Sequence, residues 1–88
     1  VTVEFFAQAR EAAGCAAETV DLGADATLLT LARTLVEKHG PRMAQLLLEP
    51  GGELSRHVLF TVGDVQVSGA ATLADGDRVT IVPPISGG

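Results

Sequence analysis

The residues with most chemical promise stand at the end of the chain, Pro83-Pro84-Ile85-Ser86-Gly87-Gly88. Two prolines fix φ and supply no N–H, so they end a sheet and direct the chain outward. Gly87 and Gly88 carry no Cβ, which suits this end to a channel too narrow for other residues. Six extended residues reach about 20 Å. A carboxylate on Gly88 is then unhindered on both sides. It is a poor electrophile until converted to an acyl-adenylate, a step that takes ATP and a partner enzyme, because the sequence has no nucleotide-binding loop. Gly-Gly alone is a weak signal, equally the mark of a frayed end. Placed after Pro-Pro and a β-rich run it carries more weight.

Other chemical candidates are weaker. Asp75 and Asp77 flank Gly76 as in some calcium loops, but the remaining ligand spacing is absent and a plain turn is the expectation. His39 and His57 have no Cys or His at metal-ligand spacing, so no metal is expected. His39 is expected to interact with the negative end of its helix. Cys15 has only Arg10 as a nearby cation in sequence, which does not mark a catalytic thiol.

The positioning elements follow from length and pattern. Eighty-eight residues make one domain. A chain of this size buries only about 60–65% of its unfolded surface. Its 47% hydrophobic content is nevertheless ample for folding. With three Phe and neither Tyr nor Trp, the core must be aliphatic. A net charge of −5 with six Lys and Arg argues against nucleic acid as a partner. No stretch approaches the roughly 20 apolar residues that span a bilayer. No basic segment precedes an apolar run, as a secretory signal would require. The expectation is a cytoplasmic protein without nucleic-acid or membrane partners. One cysteine permits no internal disulfide.

Val1, Val3 and Phe5 share one face of a first strand, and Thr2, Glu4 and Phe6 share the other. Residues 7–14 are Ala-rich and suit a short helical turn that Gly14 ends. Residues 17–22 read as a second strand. The spacing of Leu28, Leu31, Ala32, Leu35 and Val36 predicts a helix over 28–39, with Thr27 as N-cap and Gly40-Pro41 as stop. A second short helix is expected over 41–48. Residues 58–62 and 65–67 form a hairpin about Gly63-Asp64, and 78–82 form a last strand after the Asp75-Gly76-Asp77 turn. Strands on both sides of one long helix predict an α+β domain of β-grasp type. Its first and last strands would lie parallel at the centre of a mixed sheet. Residues 1–82 form that domain and 83–88 a flexible tail. In this arrangement Phe6 and Val82, both of outward parity, sit at the end of the sheet beside the tail, where an apolar spot could dock a partner.

With these residues laid out, the chain resembles the MoaD and ThiS family of ubiquitin-like sulfur carriers, and within it the small subunit of molybdopterin synthase. The resemblance spans nearly the whole length. It rests on Val3-Glu4-Phe5-Phe6-Ala7-Gln8-Ala9-Arg10-Glu11 with Gly14, on residues 27–40, on Leu73-Ala74-Asp75-Gly76-Asp77-Arg78-Val79, and on Pro83-Pro84-Ile85-Ser86-Gly87-Gly88. It implies a non-enzymatic carrier with no bound cofactor. An E1-like enzyme would use ATP to adenylate Gly88, and a sulfur source would then convert it to a thiocarboxylate. Gly87 would keep the tail slender. Phe6, Val82, Pro83, Pro84, Ile85 and Ser86 would contact partners, including the large synthase subunit in a heterotetramer, where the sulfur passes to a pterin precursor. Glu53-Leu54-Ser55-Arg56 looks more like carriers that supply sulfur for cysteine synthesis or tRNA. Those acceptors, thiamin, and protein modification are the alternatives.

Overall fold

Two-residue alternation builds the centre of the molecule. In the computed structural model, which describes residues 1–84, strand β1 is Thr2–Phe5, and its Val3 and Phe5 are buried while Thr2 and Glu4 are only half-covered. Helix α1, Gln8–Ala13, follows at once and ends at Gly14, whose φ of 77° is the left-handed conformation that glycine adopts without a Cβ penalty. Strand β2, Ala17–Thr19, returns antiparallel to β1, with Val3 opposite Glu18. It is shorter than the expected 17–22. The Val1 nitrogen donates to the Val20 carbonyl at 2.8 Å and Val20 N–H donates back.

Helix α2, Leu28–His39, matches its apolar stripe, since Leu28, Leu31, Ala32 and Leu35 are all buried. Each of the three leucines contributes about 1.5–3 kcal/mol on burial. Its free N-terminal donors are all accounted for. Leu28 and Leu29 N–H donate to the Ala71 and Gly69 carbonyls, each at 3.0 Å, and Thr30 N–H donates to Thr27 Oγ1 at 3.2 Å. The loop over residues 69–71 is thereby pinned to the helix start, and Leu73 N–H, donating to the Ala26 carbonyl at 2.8 Å, extends the attachment. Gly40 ends α2 and Pro41 opens α3, Pro41–Leu47, which buries Met43 and Leu47.

Strands β3, Leu59–Val62, and β4, Val65–Gln66, form the expected hairpin, with Val62 opposite Val65 and φ of 61° at Gly63. Strand β5 is Arg78–Val82. The order across the sheet is β2-β1-β5-β3-β4, and β1 and β5 run parallel in the middle. This is the β-grasp arrangement expected from the element order. The helices cover the inner face over a core that includes Val3, Phe5, Leu28, Leu31, Leu35, Met43, Leu47, Val79 and Ile81.

Candidate functional site

The site is assembled by register. Strand β5 lies between β1 and β3, and the chain leaves the sheet from its C-terminal end. On one side Phe5 stands opposite Ile81, and Phe6 N–H donates to the Ile81 carbonyl at 3.1 Å, which carries the parallel alignment one residue further. On the other side Leu59 stands opposite Val82 and Phe60 opposite Ile81. The inward row of Phe5, Ile81 and Phe60 is therefore buried. The outward row one step along is Phe6, Val82 and Leu59. Phe6 is 48% exposed, Leu59 41%, and Val82 is half-buried.

Behind this apolar row the same face turns polar. Glu4, Thr80 and Thr61 align across the three strands, and Arg78 Nε lies 3.9 Å from Glu4 Oε1. On the outer face of these three strands the exposed large hydrophobics thus lie at the end from which the chain leaves the sheet, while Val65, 65% exposed, stands apart on edge strand β4. Such a local patch is of the kind that marks a contact site. The structure brings together Phe6 and Val82 as their parity implied. Leu59 completes the row and was missed, although its place between inward Val58 and Phe60 held the same signal.

Alternation continues past β5 and changes the role of one proline. Pro83 falls on the inward side and its side chain is fully buried, whereas Pro84 is exposed. Pro83 had been expected among the docking residues. It instead packs within the domain, so the packed body extends through residue 83. Ile85, Ser86, Gly87 and Gly88 lie outside the described residues.

A second group of polar side chains sits at the β2 edge. Glu18 shares the inward parity of Val3, and its carboxylate meets the last turn of α2, with Lys38 Nζ at 2.5 Å from Oε2 and His39 Nε2 at 2.5 Å from Oε1. Burial would push the Glu18 carboxyl up. The hydrogen bonds and charges of Lys38 and His39 outweigh it and hold the group below its usual range. Lys38 is raised, first by its hydrogen bond to Glu18 and then by that group's charge. The His39 ring stands edge-on to Phe5 with centroids 6.1 Å apart. His39 does occupy the last turn of its helix, and Glu18 is the specific partner that the sequence did not reveal. Asp77 serves a turn: its carboxylate accepts from Ala74 N–H at 2.8 Å, with φ of 87° at Gly76. Cys15 is a free, half-buried thiol. Among the described residues no helix is long and apolar enough to cross a membrane.

Comparison with known proteins places the chain by family and fold. The sequence profile of the ThiS family matches residues 3–88. Small archaeal modifier protein 1 of Haloferax volcanii is 35% identical over 86 residues, 97% of either chain. A crystal structure of that modifier superposes with a TM-score of 0.90, at 30% identity over 99% of this chain and 97% of the other. A candidate molybdopterin converting factor subunit 1 from Pyrococcus furiosus superposes at 0.79, with 27% identity over 96% and 95% of the two chains. The match in the BexX/CysO complex of Amycolatopsis orientalis superposes at 0.78, with 27% identity over 99% and 98%. By sequence and by fold, the chain belongs to the ThiS family, among the ubiquitin-like sulfur carriers and protein modifiers.

Proposed function

We propose that this chain is a sulfur carrier whose reactive group is the Gly88 carboxylate, and that it acts as the small subunit of a molybdopterin synthase. The observation that carries the reading is the Phe6, Val82 and Leu59 row at the end of β5, where the chain turns into Pro84 and the slender Gly87-Gly88 ending. A partner seated on that row would lie beside the departing tail. Docking and delivery then use one end of the sheet.

In this reading an E1-like enzyme lets the Gly88 carboxylate attack the α-phosphorus of ATP, with pyrophosphate leaving. Hydrosulfide, or a donor that delivers it, next attacks the acyl carbon and displaces AMP, and a thiocarboxylate results. The tail then enters the active site of the large synthase subunit, where the sulfur is given to a pterin precursor. The match to a molybdopterin converting factor subunit supports that acceptor. The match within the BexX/CysO complex supports the general point that such a chain works together with a partner protein.

A second reading has its own support. The 35% identity to a small archaeal modifier favours transfer of the activated glycine to lysines of other proteins. Both routes begin from the same acyl-adenylate. Incubation of the full chain with an E1-like enzyme, ATP and a sulfur donor separates them by intact mass. The carrier gains the difference between sulfur and oxygen, and the modifier forms covalent adducts with added proteins. Deleting Gly88 is expected to abolish either product while leaving the far-UV spectrum unchanged, because a terminal residue contributes little packing. Full sulfur transfer by the deletion variant, or a native chain that continues untrimmed past Gly88, refutes the proposal.

A further inference from the structure

Lys38 is the only lysine among the 88 residues. The other cationic side chains are Arg10, Arg33, Arg42, Arg56 and Arg78, which remain protonated and do not act as amine nucleophiles. Lys38 lies in the last turn of α2 and is 56% exposed, so a macromolecule can reach it. Its ammonium is nevertheless engaged. Glu18 Oε2 stands 2.5 Å from Nζ, and the second carboxylate oxygen is held by His39 Nε2. Glu18 is itself 11% exposed, fixed between β2 and α2. Most surface ion pairs are weak because two long side chains must be ordered together. Here the carboxylate is already ordered by His39, and only the lysine needs to settle.

We infer that Lys38 is the one side-chain amine of this chain that the activated glycine of a second copy can acylate, and that Glu18 restrains it, so that the chain is transferred as a single unit rather than built into polymers. The inference deepens the modifier reading above and rests on it. Acylation requires the neutral amine. Its lone pair attacks the acyl carbon of the other copy's Gly88 adenylate and a C–N bond forms. The bond from that carbon to the phosphate oxygen breaks, AMP leaves with the electron pair, and the amine's extra proton passes to solvent. Glu18 stabilises the ammonium and so depletes the reactive form. Around Nζ, Glu18 raises Lys38 by its hydrogen bond and then by its charge, desolvation opposes this weakly, and His39 shares the same carboxylate. The restraint is therefore chemical and not steric.

Two measurements on the full chain test it. In the first, wild type, Glu18→Gln and Lys38→Arg are treated near neutral pH with the N-hydroxysuccinimide ester of acetic acid, and peptide mapping follows Lys38 against the α-amine of the same molecule. Lys38 in Glu18→Gln is expected to react roughly two- to fivefold faster than in wild type, the range open to an ion pair with one exposed partner. Added salt should move wild type in the same direction without any substitution, since it screens an exposed charge. An unchanged rate in Glu18→Gln, with no response to salt in wild type, overturns the restraint, and a slower rate overturns it by casting Glu18 as a proton acceptor for Lys38.

The second measurement adds an E1-like enzyme, ATP and a lysine-rich acceptor protein. Transfer to the acceptor with few Lys38-linked dimers in wild type, more in Glu18→Gln and none in Lys38→Arg is the expected result. Equal polymer formation by wild type and Glu18→Gln overturns the inference, as does side-chain linkage in Lys38→Arg. Failure to modify any amine, acceptor included, defeats the modifier reading instead, and the acetylation rates still decide whether Glu18 restrains Lys38.

Discussion

Phe5 and Phe6 are adjacent and chemically identical, and the pleat of β1 gives them opposite fates. Phe5 is 1% exposed, opposite Ile81 and edge-on to His39, whereas Phe6 is 48% exposed on the other face. Phe5→Ala removes a fully packed ring and leaves a cavity, at a cost of about 3–5 kcal/mol. A chain of 88 residues at roughly 0.05–0.15 kcal/mol per residue has about 4–13 kcal/mol in total. The Phe5 variant is thus expected to be marginal. Phe6 realises only about half of the 1.5–3 kcal/mol available from burial, so Phe6→Ala should cost about 0.7–1.5 kcal/mol. At about 4–8 °C per kcal/mol for a domain of this size, Tm should fall by more than 12 °C in the first case and by roughly 3–12 °C in the second. With neither Trp nor Tyr present, far-UV circular dichroism, followed through heating for Tm and through a urea titration for the free energy, is the suitable assay. Equal losses, or a larger loss at Phe6, would refute the strand parity and with it the outward apolar row.

Other expectations concern the helix start, the β2 edge and the docking row. Thr27→Ala deletes the side-chain acceptor of Thr30 N–H and is expected to cost about 1 kcal/mol, measured by urea denaturation. For the Glu18 bridge the sign follows from the two shifts. Glu18 is held below its ordinary 4.5, so its contribution is complete above that pH and is lost as pH falls through the lower folded value. Lys38 is raised above its ordinary 10.5, so its contribution is complete below that pH and is lost as pH rises through the folded value. The stability difference between wild type and Glu18→Gln should be widest between those limits and narrow outside both, as unfolding curves across pH will check. Phe6→Asp should weaken capture by an E1-like partner more than it lowers Tm, and a large loss of stability with unchanged capture would place Phe6 in the core.

Much of the architecture was legible in the linear pattern because its signals are local. Helix α2 has an apolar stripe at helical spacing, a hydroxyl at its N-cap and Gly-Pro at its end, and it runs over Leu28–His39 as those signals imply. Strand β5 alternates cleanly and follows a turn. Strand β2, Ala17–Thr19, is shorter than its apolar pattern implied, because a strand is defined by pairing with a neighbour and not by its own residues.

What the chain determined alone is the set of elements, their inward and outward faces, and a terminus built of proline and glycine. Periodicity and turn chemistry act over a few residues and need no knowledge of neighbours. Only the tertiary structure decided which faces meet. It aligned Leu59 with Val82 and Phe6, buried Pro83 by carrying the alternation one residue past β5, and brought Glu18 to Lys38 and His39 across twenty residues of sequence. Such pairings depend on strand register and helix placement, which are set by the packing of the whole core rather than by any local run of residues.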